Sequence, residues 1–145
     1  MPSVKSHCNT GNILQDKDSL WLYLPVWPKS CNTLYRVYRG RAIMSAGGRE
    51  FFEEGLAQIA RLKPVWDWLP YTGPVEIDIT LHKPDKRKRD LDNHLKSTLD
   101  LMTRAQIWAD DSQVCKITVK WGELTPHGAV EIHIHAKRDT EPSDA

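Results

Sequence analysis

From Val75 to Leu81 the chain reads V-E-I-D-I-T-L, with apolar Val75, Ile77, Ile79 and Leu81 alternating strictly with polar residues. A period of two puts one row of side chains on each face of an extended strand, so this segment must rest one face on a core. The period then changes. Leu91, Leu95, Leu99 and Met102 recur at helical spacing, which predicts a helix to about Ala105. Between the two lies H-K-P-D-K-R-K-R-D-L-D-N, residues 82–93, the most charged stretch of the chain.

Other elements fall around this pair. Leu20–Leu24 (LWLYL) reads as a short strand stopped by Pro25 and Pro28. A loop follows, carrying Ser30, Asn32 and the basic run Y-R-V-Y-R-G-R around Arg36, Arg39 and Arg41. Ser45 suits the N-cap of a helix over 46–63, with Phe52, Leu56, Ile59 and Ala60 as its apolar face and Pro64 as its stop. Residues 65–74 form a connection closed by Pro and Gly. Val114–Trp121 and Val130–Ala136 alternate again and are expected to pair as a hairpin turning near Pro126–Gly128. The order β-α-β-α-β-β predicts a single α+β domain with a mixed sheet and two main helices on one side. Its expected bounds are 20–137, with a loose tail over 1–19 and a disordered tail over 138–145.

A chain of 145 residues supports one core, and 40% hydrophobic with 27% charged residues is an ordinary globular balance. The formal net charge is +1, so affinity for nucleic acid must come from the placement of charge rather than its sum. Cys8, Cys31 and Cys115 are odd in number and widely spaced, which indicates reduced thiols and neither a disulfide framework nor a zinc knuckle. No apolar stretch approaches the roughly 20 residues that span a bilayer, and no export signal opens the chain. A cytoplasmic protein without a membrane partner is expected.

The charged junction is where chemistry could sit. Asp90 and Asp92 are two apart, so in extended chain their carboxylates share a face, and at a turn into a helix both could approach one hard cation. Lys96 follows Asp92 by one helical turn. Each residue alone has a plainer explanation: Asp90 as a cap, Asp92 favouring the helix dipole, Lys96 pairing with Asp92. The set is harder to explain that way, because capping does not need four adjacent cations, Lys86, Arg87, Lys88 and Arg89. A site that holds both a metal ion and DNA phosphates needs that mixture. A second acidic pair, Asp110–Asp111, suits a turn, and spacing alone does not show whether it approaches the first.

The stretch H-K-P-D-K-R-K-R-D-L-D-N-H-L-K (82–96) followed by W-A-D-D-S-Q-V (108–114) resembles the signature of the RusA-type Holliday junction resolvases. L-P-x-W-P-x-S-x-N (24–32) and R-G-R…S-A-x-G (39–48) are similar to the same family, so the resemblance spans roughly 20–137. It implies Asp90, Asp92 and Asp111 as catalytic, Mg²⁺-binding acids, Lys96 as the functional lysine, Arg89 as the basic residue before the first acid, and Asp110 as a neighbouring acid. It also implies a bacterial or phage-encoded homodimer that resolves four-way DNA junctions by paired nicks. The long tail, Cys31 and His94 depart from the pattern.

Other residues have simpler expectations. Glu131, His133 and His135 share one face of the last strand, and with no third ligand evident nearby they read as an exposed polar face rather than a zinc site. Among six tryptophans, Trp121 is expected in the core and Trp66 and Trp68 at a subunit contact. His82 is expected to make a structural hydrogen bond. The alternative functions are a non-catalytic binder of branched DNA, and a small-nucleotide phosphohydrolase for which the chain lacks a phosphate-cradling glycine loop.

Overall fold

The structure is a computed structural model and describes residues 19–137. The expected tails therefore lie outside the described residues, except Ser19, which begins the first strand. In chain order the elements are β1 (Ser19–Leu24), a one-turn helix α1 (Cys31–Leu34), β2 (Tyr35–Tyr38), β3 (Arg41–Met44), α2 (Ala46–Leu62), β4 (Val75–His82), α3 (Leu95–Arg104), β5 (Val114–Trp121) and β6 (Ala129–Ala136). Short 3₁₀ turns over Lys63–Val65, Leu91–His94 and Asp111–Gln113 join them.

Four strands form one mixed sheet in the order β1-β6-β4-β5. β6 runs antiparallel to both β1 and β4, whereas β5 is parallel to β4. Leu20, Leu22, Leu24, Val130, Ile132, Ile134 and the inner row of β4 are buried under the helices as one apolar layer. Trp66 belongs to this core at 2% exposure, which corrects its expected place at a subunit contact, while Trp68 and Trp121 are partly buried against it. Ser45 caps α2 by accepting from the Gly48 backbone N–H at 3.0 Å. The buried face of α2 is Phe51, Phe52, Gly55 and Ile59, with Ala60 outward. Gly55 is required by proximity, since a Cβ there would lie 2.7 Å from the Leu101 side chain of α3.

The expected β5–β6 hairpin does not form: β4 lies between the two strands. The β4 inner row is fully apolar and gains most from a neighbour on each side, while β5, with Lys116, Thr118 and Lys120 exposed, suits an edge. The hairpin present is β2–β3, in the segment expected as a loop. Arg39 and Gly40 form its turn with φ of 52° and 75°, the double positive φ of a type I′ turn.

Strand pairing also corrects the reading of His133 and His135. Asp78 on β4 is the Cα partner of His133 and supplies the third ligand-type group that linear spacing cannot reveal.

Candidate active site

β4 delivers the chain to His82, whose ring bridges the Glu123 carbonyl and the Glu131 carboxylate, each at 2.8 Å. The charged run that follows is folded around Asp85. This carboxylate accepts from Arg89 Nη1 at 2.8 Å and from Arg87 Nη2 at 3.1 Å, and also from the Arg87 backbone N–H at 3.0 Å. Arg89, then Arg87, holds the Asp85 carboxyl far below the usual carboxylate range. The Arg89 side chain is only 16% exposed and its guanidinium lies 5.5 Å from the Trp27 ring centre. The four cations thus divide: Lys86, Arg87 and Lys88 face solvent, whereas Arg89 fastens the loop.

Asp90 follows in extended conformation as the residue before the Leu91–His94 turn. Asp90 and Asp92 are both exposed, and neither is in an ion pair among the described residues although cations surround them. Asn93 Nδ2 reaches Asp90 Oδ2 at 3.5 Å. Buried His94 anchors the turn from below by donating Nδ1–H to the Pro28 carbonyl at 2.9 Å, and Ser97 Oγ donates to the Lys29 carbonyl at 2.7 Å. These bonds bring L-P-x-W-P-x-S against D-L-D-N. The result is a cleft of about 580 Å³ whose walls include Lys29, Arg87, Lys88, Arg89, Asp90 and Asn93. Sequence reasoning does not single out Lys29, because its place in the cleft depends on these two long-range bonds.

The second acidic pair separates into two roles. Asp110 caps the Asp111–Gln113 turn in a capping box with Gln113, its carboxylate accepting from the Ser112 N–H at 2.9 Å. Ser112, through its hydroxyl and then its backbone, lowers the Asp110 carboxyl below its ordinary value. Asp111 points the other way. Its Oδ1 accepts from Thr103 Oγ1 and from Trp108 Nε1, the latter at 3.0 Å, while Oδ2 accepts from neither.

Lys96 is exposed and pairs with Asp100 at 3.3 Å rather than with Asp92. A surface pair of this kind is worth roughly 0–1 kcal/mol, so the ammonium is easily drawn to a phosphate.

The chain does not bring Asp111 to the other two acids. Asp111 is bonded to Thr103 in the last turn of α3, and Asp90 and Asp92 precede its first turn. Eight helical steps separate Leu95 from Thr103, about 12 Å at 1.5 Å per residue. Likewise Asp111 lies just before β5 begins at Val114, while His94 packs near Trp121 at its other end, with ring centres 6.4 Å apart. Among the described residues, the only His, Cys, Asp or Glu trio with ligand atoms within 4.8 Å is Asp78, His133 and His135. As donors, the unpaired carboxylates of Asp90 and Asp92 and the second Asp111 oxygen fit a hard divalent cation. What one chain lacks is their convergence.

Comparison with known proteins points to one family. The family model described as Endodeoxyribonuclease RusA matches residues 25–135. The crossover junction endodeoxyribonuclease RusA of Escherichia coli K12 is 39% identical over 108 residues, covering 74% of this chain and 88% of that protein. The protein of the same name from Enterobacteria phage 82 is 39% identical over the same coverage, and that of Shigella sonnei 38%. The charged cleft, the D-L-D-N turn and the distal Asp111 all fall inside the matched segment, and the chain belongs to the RusA endodeoxyribonuclease family.

Proposed function

We propose that this chain is a crossover junction endodeoxyribonuclease, dependent on Mg²⁺, that makes paired nicks in four-way DNA junctions as a homodimer. The observation that carries the reading is the cleft in which exposed Asp90 opens onto Lys29, Arg87 and Lys88. Acid for a cation and base for phosphate meet there without neutralising each other, because Asp85 takes up Arg89 and shares Arg87.

Each residue then has a task. Lys29, Lys86, Arg87 and Lys88 hold the phosphate backbone across the cleft. Asp90 and Asp92 from one subunit and Asp111 from its two-fold mate are the metal-binding acids, and Asn93 orients Asp90. Mg²⁺, when bound, polarises the scissile phosphodiester and lowers the pKa of a bound water. Lys96 stabilises the negative charge that develops on the phosphate. The separation of Asp111 from Asp90 and Asp92 within one chain supports the dimer, since a two-fold copy supplies the missing acid to each site. Two sites also meet the requirement of a two-fold junction for two nicks.

The deciding experiment is incubation with a labelled four-way junction and a linear duplex, with Mg²⁺ and with EDTA. The expected result is Mg²⁺-dependent cleavage of the junction alone. Binding without cleavage would instead make the protein a passive junction binder. Asp90→Asn, Asp92→Asn and Asp111→Asn should each abolish cleavage and retain binding. The shared site makes a sharper forecast: a mixed dimer of Asp92→Asn and Asp111→Asn chains contains one intact site and should nick the junction once. No nicking by that mixture would place all three acids in one subunit and sink the composite site.

A further inference from the structure

The sheet face turned away from the helices carries a second cluster of ligand-type side chains, none of which lines the charged cleft. His133 and His135 are two apart on β6 and so project from the same face. Asp78 stands opposite His133 on the adjacent strand, and its Oδ2 lies 3.4 Å from His135 Nε2. The two imidazole ring centres are 4.0 Å apart. One ligand atom from each of the three residues lies within 4.8 Å of the others. A tetrahedral zinc site with bonds of about 2.0–2.1 Å has donors about 3.3 Å apart, so modest side-chain rotation closes the set.

Neighbouring groups select these three and no others. Glu131, next along β6, is already engaged at both oxygens, Oε1 by His82 at 2.8 Å and Oε2 by the Trp21 indole N–H at 3.3 Å. Ser19 Oγ lies 2.8 Å from His133 Nε2 and steadies that ring from β1, as outer partners of ligating histidines do. A shallow pocket of about 290 Å³ over Asp78 and His133, walled also by Thr118 and Lys120, leaves room for a water as fourth ligand.

We propose that Asp78, His133 and His135 form a divalent transition-metal site, zinc by preference, with three protein ligands and a fourth position open to solvent. Two imidazoles and one carboxylate suit zinc, whereas Mg²⁺ prefers oxygen donors and binds with several of its waters retained. The site is therefore chemically distinct from the acidic cleft and does not depend on the nuclease reading. Its ligands come from β4 and β6, the two inner strands of the sheet, so a bound ion cross-links the centre of the fold. Metal that binds only the folded chain raises its stability by mass action.

The test uses the untagged full chain stripped of metal. Zinc titrated against a chromophoric competitor should bind with one ion per chain and raise the melting temperature. Cobalt(II) should give the intense visible absorption of a low-coordinate nitrogen–oxygen site. His133→Gln or His135→Gln should weaken zinc at least about tenfold, since a direct ligand matters no less than an outer partner. The His133→Gln/His135→Gln double variant should lose the cobalt spectrum while matching the unsubstituted chain in metal-free melting temperature and in Mg²⁺-dependent junction cleavage. Zinc bound with equal affinity by the double variant would overturn the site, as would the absence of stoichiometric zinc on the unsubstituted chain. Loss of zinc binding on Asp90→Asn instead would overturn it too, by moving the ion to the cleft.

Discussion

Asp110 and Asp111 are adjacent, yet one carboxylate closes a turn and the other is turned toward Thr103 and Trp108. Under the proposed function, Asp110→Ala should therefore lower stability, as loss of an N-cap does, and leave the affinity for Mg²⁺ within a few-fold. Denaturant unfolding and a metal titration check both halves. A collapse of metal affinity would return Asp110 to the site. His94 carries a pH forecast. Burial, ahead of the charge on Arg89, lowers its pKa and opposes the hydrogen bond to Pro28, so the ring is neutral in the fold and titrates near 6.5 when unfolded. Its contribution is thus complete above about pH 6.5 and is lost as the pH falls from there toward the folded value. Metal-free chain should lose stability below about pH 6.5 with a slope of at most about 1.4 kcal/mol per pH unit from this group, and His94→Leu should flatten that slope. At this scale the mixing of exposed acids with cations was legible, since D-L-D-N stands directly beside Lys86, Arg87, Lys88 and Arg89 in the sequence. The capping role of Asp110, the inward turn of Arg89 and the place of Lys29 were not, because each rests on a bond to a partner that the linear pattern does not name.

The exposed hairpin of β2 and β3 presents Arg36, Arg39 and Arg41, with the Arg36 and Arg39 guanidiniums 5.7 and 5.3 Å from the Tyr38 ring centre. It was hidden in the sequence because both of its faces are largely solvated, so no alternation of apolar and polar residues marks it; the Arg39–Gly40 turn was its one signal. Under the proposed function, Arg39→Ala with Arg41→Ala should weaken binding to all DNA alike and lower the salt slope by about 0.9 for each phosphate no longer neutralised. Lys86, Arg87 and Lys88 replaced together should do the same, whereas Lys96→Ala should slow cleavage with little change in binding. Junction binding followed against salt, with single-turnover cleavage, separates the two classes. The strand β4 and helix α2 were legible for the opposite reason, having one buried row each. The pairing of β5 was not, because alternation identifies a strand and says nothing about its neighbour. Strand order depends on which rows gain most by being central, and that is a property of the whole sheet.

A net charge of +1 on the whole molecule coexists with a basic cleft because position, not sum, sets the local field. The separation of Asp111 from Asp90 and Asp92 is likewise a property of the assembled chain, set by the lengths of α3 and β5, and no motif could have stated it. Ladder pairing has one more result at this scale. Ser19, the first residue of β1, is the Cα partner of His135, one residue before the end of β6. Antiparallel partners lie about 5 Å apart, so the described fold begins and stops at almost the same point in space. A linker of a few residues from Lys137 to Ser19 would close the backbone into a ring, and new termini could be opened between the exposed residues Pro126 and His127. That permuted chain should fold with the same circular dichroism and retain junction cleavage, while failure to fold would show that the link from β5 to β6 must be continuous. Backbone continuity is then a matter of manufacture, and the route by which the ribosome threads these strands is separable from the object they make.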